Sequence, residues 1–233
     1  MKKTILGLAA ASSMFLMSGE QAHAEGEFYG NVTVTTDYLF RGVSQTGGDP
    51  AIQGELGWAH ESGFYLGTWA STIDFGDDGG DLEWDFYAGY DYEFNPGSTL
   101  HLTANYYTYH GLEFSGANYL ELIVGVSQEF DGATVGVNFE HAPKYFGEST
   151  RQNYFKLHSS VPLAENWVLD AHIGRVNFSD NALAAQPDTT DWQIGVSYMH
   201  GAWTVTAAFA DTDWSALGSD ANNNFFVSAG FDF

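Results

Sequence analysis

Apolar and polar residues alternate one by one along most of this chain, and the alternation defines twelve segments. The clearest is Leu82 to Phe94. There Leu82, Trp84, Phe86, Ala88, Tyr90, Tyr92 and Phe94 alternate with Glu83, Asp85, Tyr87, Gly89, Asp91 and Glu93. Period 2 belongs to a strand, whose successive side chains point to opposite faces; a helix would mix the two sets. The same pattern predicts strands over about Phe28–Gly42, Ala51–His60, Phe64–Ile73, Thr99–Tyr109, Tyr119–Phe130, Ala133–His141, Gln152–Val161, Trp167–Phe178, Asp191–Met199, Ala202–Ala210 and Asn224–Phe233. In the first, Phe28, Val32, Val34, Tyr38 and Phe40 share the apolar face and Asn31, Thr33, Thr35, Asp37 and Arg41 the polar one. The third leaves two phases open, because Phe64/Leu66 and Tyr65/Trp69 both make apolar faces. In the ninth, Arg175 falls among the apolar positions, which predicts that the strand ends or bulges there.

The connections sort by length. Glu61–Gly63, Asn95–Ser98, Asp131–Gly132, Pro162–Asn166 and His200–Gly201 are short turns rich in Gly, Pro, Asn and Asp. Val43–Pro50, Phe75–Asp81, Gly111–Asn118, Ala142–Thr150, Ser179–Thr190 and Asp211–Asn223 are longer loops, and the two kinds alternate. An even number of strands, short turns at one end and long loops at the other are the pattern of a transmembrane antiparallel β-barrel of outer-membrane type. Trp and Tyr near strand ends suit its membrane interfaces. Twelve strands ~4.8 Å apart and tilted ~40° enclose a backbone cylinder on the order of 24 Å across, which inward side chains narrow to roughly 5–10 Å.

The N-terminal residues predict export of this barrel from the cytoplasm. Lys2 and Lys3, the apolar run Ile5 to Met17 and the Ala22-His23-Ala24 site predict a cleaved signal peptide over residues 1–24, with the barrel over 25–233. No later window is apolar enough for a transmembrane helix, and the chain has no Cys to staple it. Its formal net charge is −23. Beyond the signal peptide the only basic residues are Arg41, Lys144, Arg151, Lys156 and Arg175. Nucleic acid is not expected as a partner, because phosphate binding needs a basic footprint.

Residues 35–46 read TTDYLFRGVSQT, followed by Pro50-Ala51-Ile52-Gln53-Gly54 and Gly63-Phe64-Tyr65-Leu66-Gly67-Thr68-Trp69-Ala70-Ser71. These stretches resemble the TorF-type porins, a family of proteobacterial outer-membrane proteins. Thr36, Asp37, Tyr38, Phe40, Arg41, Gly42, Ser44, Gln45 and Thr46 carry the specific part of the likeness. The resemblance implies an outer-membrane location, with outer-membrane lipid and lipopolysaccharide around the barrel, and a pore for small solutes. Phe233, which closes the last amphipathic strand, resembles the terminal signal read by the barrel-assembly machinery.

If the aromatic faces meet lipid, the polar faces line the lumen, since an ionised acid in the bilayer is costly. The residues so placed are Asp37, Arg41, Glu55, Glu83, Asp85, Asp91, Glu93, His101, Tyr107, Tyr109, Glu121, Lys156, His158, Asp170 and His172. Acids outnumber cations in this set, which predicts a passive channel that prefers cations. Inner tyrosines such as Tyr87 and Tyr107 either stack planar solutes or fill space. His158 and Ser160 share a face and suggest a lipid-modifying enzyme, but they point inward without a nucleophile motif, so no enzyme activity, catalytic residue or cofactor is expected. A closed structural or adhesive barrel acting through its loops is the other alternative. The loop acids Asp74, Asp77, Asp78 and Asp81, and Asp211, Asp213 and Asp220, lack the spacing of an EF-hand and read as solvated, so no metal is expected.

Overall fold

The computed structural model describes residues 26–113, 115–181, 184, 187–213 and 225–233. The signal peptide, Ser219, Asp220 and most of the last loop lie outside the described residues. Fourteen strands follow one another: β1 (Glu27–Thr35), β2 (Leu39–Phe40), β3 (Val43–Ser44), β4 (Ala51–Ala59), β5 (Phe64–Thr72), β6 (Gly79–Asn95), β7 (Ser98–Leu112), β8 (Tyr119–Phe130), β9 (Ala133–Ala142), β10 (Gln152–Ala164), β11 (Trp167–Phe178), β12 (Thr189–His200), β13 (Trp203–Thr212) and β14 (Phe225–Asp232). Twelve of them, all but β2 and β3, pair antiparallel with their sequence neighbours and close into a barrel. The seam joins β1 to β14, from Asn31 opposite Asp232 to Thr35 opposite Ser228. Phe233 extends it: Gly30 N donates to the Phe233 carbonyl (2.8 Å) and Phe233 N to that of Gly30 (3.0 Å). Closure leaves no unpaired strand edge, the condition for spanning lipid.

The alternation decides what each face presents. Phe28, Ile52, Trp84, Phe86, Leu122, Val124, Phe155, Trp192 and Phe231 point outward and are exposed, Phe28 at 75%. A continuous apolar wall of this extent would not persist in water. The third predicted strand, β5, takes the phase with Phe64 and Leu66 outside and Tyr65 and Trp69 inside. Inward tyrosines lie flat across inward glycines of neighbouring strands: Tyr29 over Gly57, Tyr87 over Gly67 and Tyr65 over Gly89. A methyl group at any of these glycines would collide with the ring.

Two expectations are corrected. The first strand does not run to Gly42; it ends at Thr35, and residues 36–50 turn into the barrel. Leu39 pairs with Ser44 and Phe40 with Val43, with Arg41 and Gly42 as the two turn residues. Both have positive φ, 49° and 77°, as a two-residue hairpin of type I′ requires. Alternation is blind to such a turn, because the β2–β3 arms keep the period while the chain reverses. Tyr38 and Phe40 therefore leave the outer face. Second, β11 runs through Arg175 to Phe178 with unbroken register on both sides. Arg175 lies near the long-loop end, where it donates to Thr190 Oγ1 (2.9 Å) and pairs with Asp213 (3.4 Å). An outward cation is tolerated there because it is exposed to solvent and paired.

Candidate functional site: the lumen and its inward hairpin

The β2–β3 hairpin crosses the lumen at the long-loop end. Its base is stapled by the polar residues of the TTDYLFRGVSQT stretch. Asp37 Oδ1 accepts from Ser44 Oγ (2.6 Å) and lies 3.0 Å from Thr46 Oγ1. Gln45 N donates to the Tyr38 carbonyl (2.7 Å) and Asp74 N to that of Gln45 (2.8 Å). Its apolar residues pack against opposite walls. Leu39 sits on Ala208, Ala210 and Phe226. Tyr38 meets Trp69 edge-on (5.4 Å between centroids), and Phe40 meets Tyr107 (6.2 Å). At the tip, a Cβ on Gly42 would come within 2.7 Å of the Asp211 carbonyl, so the turn fits only glycine there.

Arg41 projects from the tip to three barrel strands. Its Nη2 donates to Glu121 on β8 and to Glu140 on β9, both at 2.8 Å, and its Nη1 donates to Gln152 on β10. The guanidinium lies 4.2 Å from the Tyr154 ring centroid. Glu121 is fully buried and also accepts from the Tyr107 hydroxyl (3.1 Å). Lys156 Nζ stands 3.7 Å from Glu140. Burial alone would push Arg41 toward losing its proton; Glu121 and Glu140 outweigh that and hold it charged. Burial pushes the Asp37 carboxyl above its usual range, against the hydrogen bonds from Ser44 and Thr46.

A second zone holds acids without a cation. Glu83 and Asp85 occupy adjacent inward positions of β6 and are 2% and 5% exposed. Tyr109 donates to Glu83 Oε1 (3.0 Å), and Asn105 Nδ2 lies 3.4 Å from Asp85 Oδ2. Among the described residues Glu83 Oε2, Asp85 Oδ1 and Asn105 Oδ1 have no hydrogen-bond partner.

Toward the short-turn end the wall is polar and cross-linked. Tyr29 and Tyr87 share a hydrogen bond (2.8 Å), and Tyr87 donates to Glu55. His101 Nδ1 meets Asp91 (2.8 Å) and its Nε2 meets Ser127 Oγ (2.9 Å). The order is that of a hydrolytic triad. However, β8 is paired on both sides around Ser127, so its backbone N–H groups belong to the ladder and form no oxyanion hole. Nearer the long-loop end, His172 Nε2 and the Tyr154 hydroxyl both reach Asp191 (3.0 and 2.9 Å). Asp170 is bonded by Ser160, while His158 Nε2 has no partner, so His158 and Ser160 form no relay. Glu93 is exposed and accepts from Gly97 N (2.9 Å), which places it at the β6–β7 turn and not on the lumen wall. Among the described residues no three His, Cys, Asp or Glu side chains are grouped to hold a metal ion.

Of the residues expected to line the lumen, Asp37 and Arg41 sit on the hairpin, Glu93 at the β6–β7 turn, and the others on the polar parity of the wall strands. Glu140, Gln152, Tyr154 and Asp191 belong with them and were missing from the set. Strand parity places all four inward; their importance comes from partners on other strands, which parity does not reveal.

This is the architecture of a porin-type barrel, a closed antiparallel cylinder with an apolar outside and a polar inside. The chain belongs to the family described as "Bacterial protein of unknown function (Gcw_chp)", whose model matches residues 20–229. No curated protein sequence is similar to it. Among solved structures it is similar in fold to the KdgM porin, at 8% identity and a TM-score of 0.61 over 88% of this chain and 98% of that one. It is also similar to the NanC porin, at 8% identity and a TM-score of 0.58 over 88% and 98%. An outer membrane channel from Pseudomonas putida F1 has 11% identity and a TM-score of 0.51 over 98% and 99%.

Proposed function

We propose that this protein is an outer-membrane channel for passive diffusion of small hydrophilic solutes, that it prefers cations, and that the β2–β3 hairpin forms its constriction. The observation that carries the reading is the lumen wall: polar, acid-rich and enclosed by an apolar cylinder. The fold shared with two porins and a channel supports it, as does the likeness of residues 35–46 to TorF-type porins. Among the described residues Glu55, Glu83, Asp85, Asp91, Asp170 and Asp191 carry no Lys or Arg partner, while Arg41 and Lys156 are engaged by Glu121 and Glu140. A permeating anion thus meets mostly carboxylates. A KdgM structure is described as a complex with disordered oligogalacturonate, a chain of sugar acids. The charge of the present lumen disfavours such a solute and favours neutral or cationic ones. No hydrolase function is assigned to the Asp91–His101–Ser127 contacts; they cross-link the wall. Phe233 at the seam serves as the assembly signal in this reading.

The test is a planar bilayer in asymmetric KCl. The wild-type reversal potential indicates cation preference, and replacing Asp85 and Asp91 together by Asn moves it toward zero. Anion preference of the wild type, or no conduction in repeated reconstitutions, refutes the proposal.

A further inference from the structure

Tyrosines in the lumen fall into two kinds. At the long-loop end Tyr107, Tyr119 and Tyr154 are 6%, 3% and 2% exposed, and the first two stack with their centroids 4.5 Å apart. These rings fill space. Toward the short-turn end Tyr29, Tyr65 and Tyr87 are only half-buried. Gly57, Gly67 and Gly89 let them down flat on the wall, so each has one face on a glycine and the other toward the lumen. Their hydroxyls are fixed at the wall: Tyr29 to Tyr87 (2.8 Å), Tyr87 to Glu55, and Tyr65 to Thr103 Oγ1 (2.5 Å). The Tyr65 and Tyr87 centroids are 6.2 Å apart, with the planes inclined by 57°. Glu55 and Asp91, also half-buried, lie close to these rings, and Asp232 lies close to Glu55. Among the described residues none of the three acids is paired with Lys or Arg; Asp91 meets His101, and Asp232 accepts from Asn31 (2.7 Å).

We infer that Tyr29, Tyr65 and Tyr87 form a binding site for small alkylated ammonium ions, of which choline is the type, in the lumen below the hairpin. The face of an aromatic ring is its negative part and attracts a cation within about 6 Å of the centroid. The spacing of Tyr65 and Tyr87 puts one ammonium head within reach of both. Methyl groups on the nitrogen suit the apolar ring faces, and the charge suits Glu55, Asp91 and Asp232. A neutral sugar lying on the same rings gains hydrogen bonds from these acids but no charge attraction. The site deepens the cation-channel reading, which supplies the route by which the ion arrives. Its test needs no conduction, so the two ideas fail separately.

The experiment uses the refolded full barrel in non-ionic micelles, since a phosphocholine detergent would compete. Choline is titrated at constant ionic strength and its binding followed by saturation-transfer NMR. Saturable binding to the wild type is expected. Y65L and Y87L weaken it about five- to thirty-fold each, the loss of one cation–ring contact. Y65F, which keeps the ring, binds as the wild type does. G89A leaves Tyr65 in the chain but lifts its ring off the wall, and weakens binding too. Y106L, on the exposed outer face, retains it. Where a Leu variant fails to refold, the wild type decides: the uncharged carbon isostere of choline is expected to bind about tenfold more weakly than choline itself. Equal binding of the two overturns the inference in favour of apolar filling. Saturable binding of maltose without binding of choline overturns it in favour of sugar stacking. Choline binding unchanged in Y65L, Y87L and G89A overturns it in favour of bulk charge.

Discussion

Arg41 is the residue on which the hairpin's position depends. Among the described residues it is the only cation paired with Glu121, and with Lys156 it holds Glu140. Breaking a buried pair from one side leaves the other charge uncompensated, at a cost of about 3–5 kcal/mol. Arg41→Ala is therefore expected to lower the midpoint of urea unfolding of the refolded barrel and to lengthen high-conductance openings. Arg41→Lys recovers only part of this, because an ammonium cannot reproduce the planar fork shared by Glu121, Glu140 and Gln152. Equal behaviour of wild type and Arg41→Ala would mean that the hairpin is held by apolar packing alone. Asp37 adds a pH dependence of known sign. Burial raises its carboxyl in the packed hairpin, and a displaced hairpin returns it to its ordinary value. The packed form thus binds the proton more tightly. The contribution is fully present below the ordinary carboxylate range and is lost as pH rises through the raised value. Acidification from about pH 7 toward about pH 4 accordingly favours the packed, low-conductance state more in the wild type than in Asp37→Asn. The difference between the two proteins separates Asp37 from Glu121 and Glu140. A larger acid response in Asp37→Asn would reverse the assignment.

At the scale of elements, the barrel and the hairpin are separable. All twelve barrel strands find their partners without β2 or β3. Replacing residues 38–45 by a short Gly/Ser linker should leave a heat-modifiable barrel on gel electrophoresis while raising single-channel conductance several-fold, since lumen cross-section limits flow. An unfolded product would make the hairpin part of the barrel's own stability. Most of these elements were legible in the chain. The strand from Leu82 to Phe94 declares its inside and outside through a clean period of 2, and so do those from Tyr119 to Phe130 and from Trp203 to Ala210. The β5 phase was not legible, because aromatic residues occupy both faces. Tyr65 and Trp69 point inward, where Tyr65 lies over Gly89 and Trp69 packs against the hairpin's Tyr38. The Arg41-Gly42 turn was hidden for a different reason. A type I′ turn is normally announced by Asn-Gly or Asp-Gly, and an Arg in its first position gives no such signal.

For the whole molecule, the remaining question is orientation. The long loops gather at one end, together with the hairpin, and the short turns and both described chain ends at the other. In the outer-membrane reading the loop end faces out. Ser115→Cys and Asn181→Cys should then react with an impermeant thiol reagent on whole cells, and Glu165→Cys only after the cells are opened. The reverse pattern would invert the topology.

By itself, the sequence determined the class of fold, the number of barrel strands and, outside β5 and the stretch around Arg41, the apolar and polar faces of each strand. Those properties follow from local alternation, which one strand expresses on its own. Only the tertiary structure decided that the stretch around Arg41 leaves the wall and crosses the lumen. It also decided that Arg41 sits between Glu121 and Glu140, and that among the described residues Glu83 and Asp85 pair with no Lys, Arg or His. These facts depend on which residues meet across a closed cylinder, at separations of 80 and 99 residues for the Arg41 contacts. Periodicity along one strand has no information about the strand opposite.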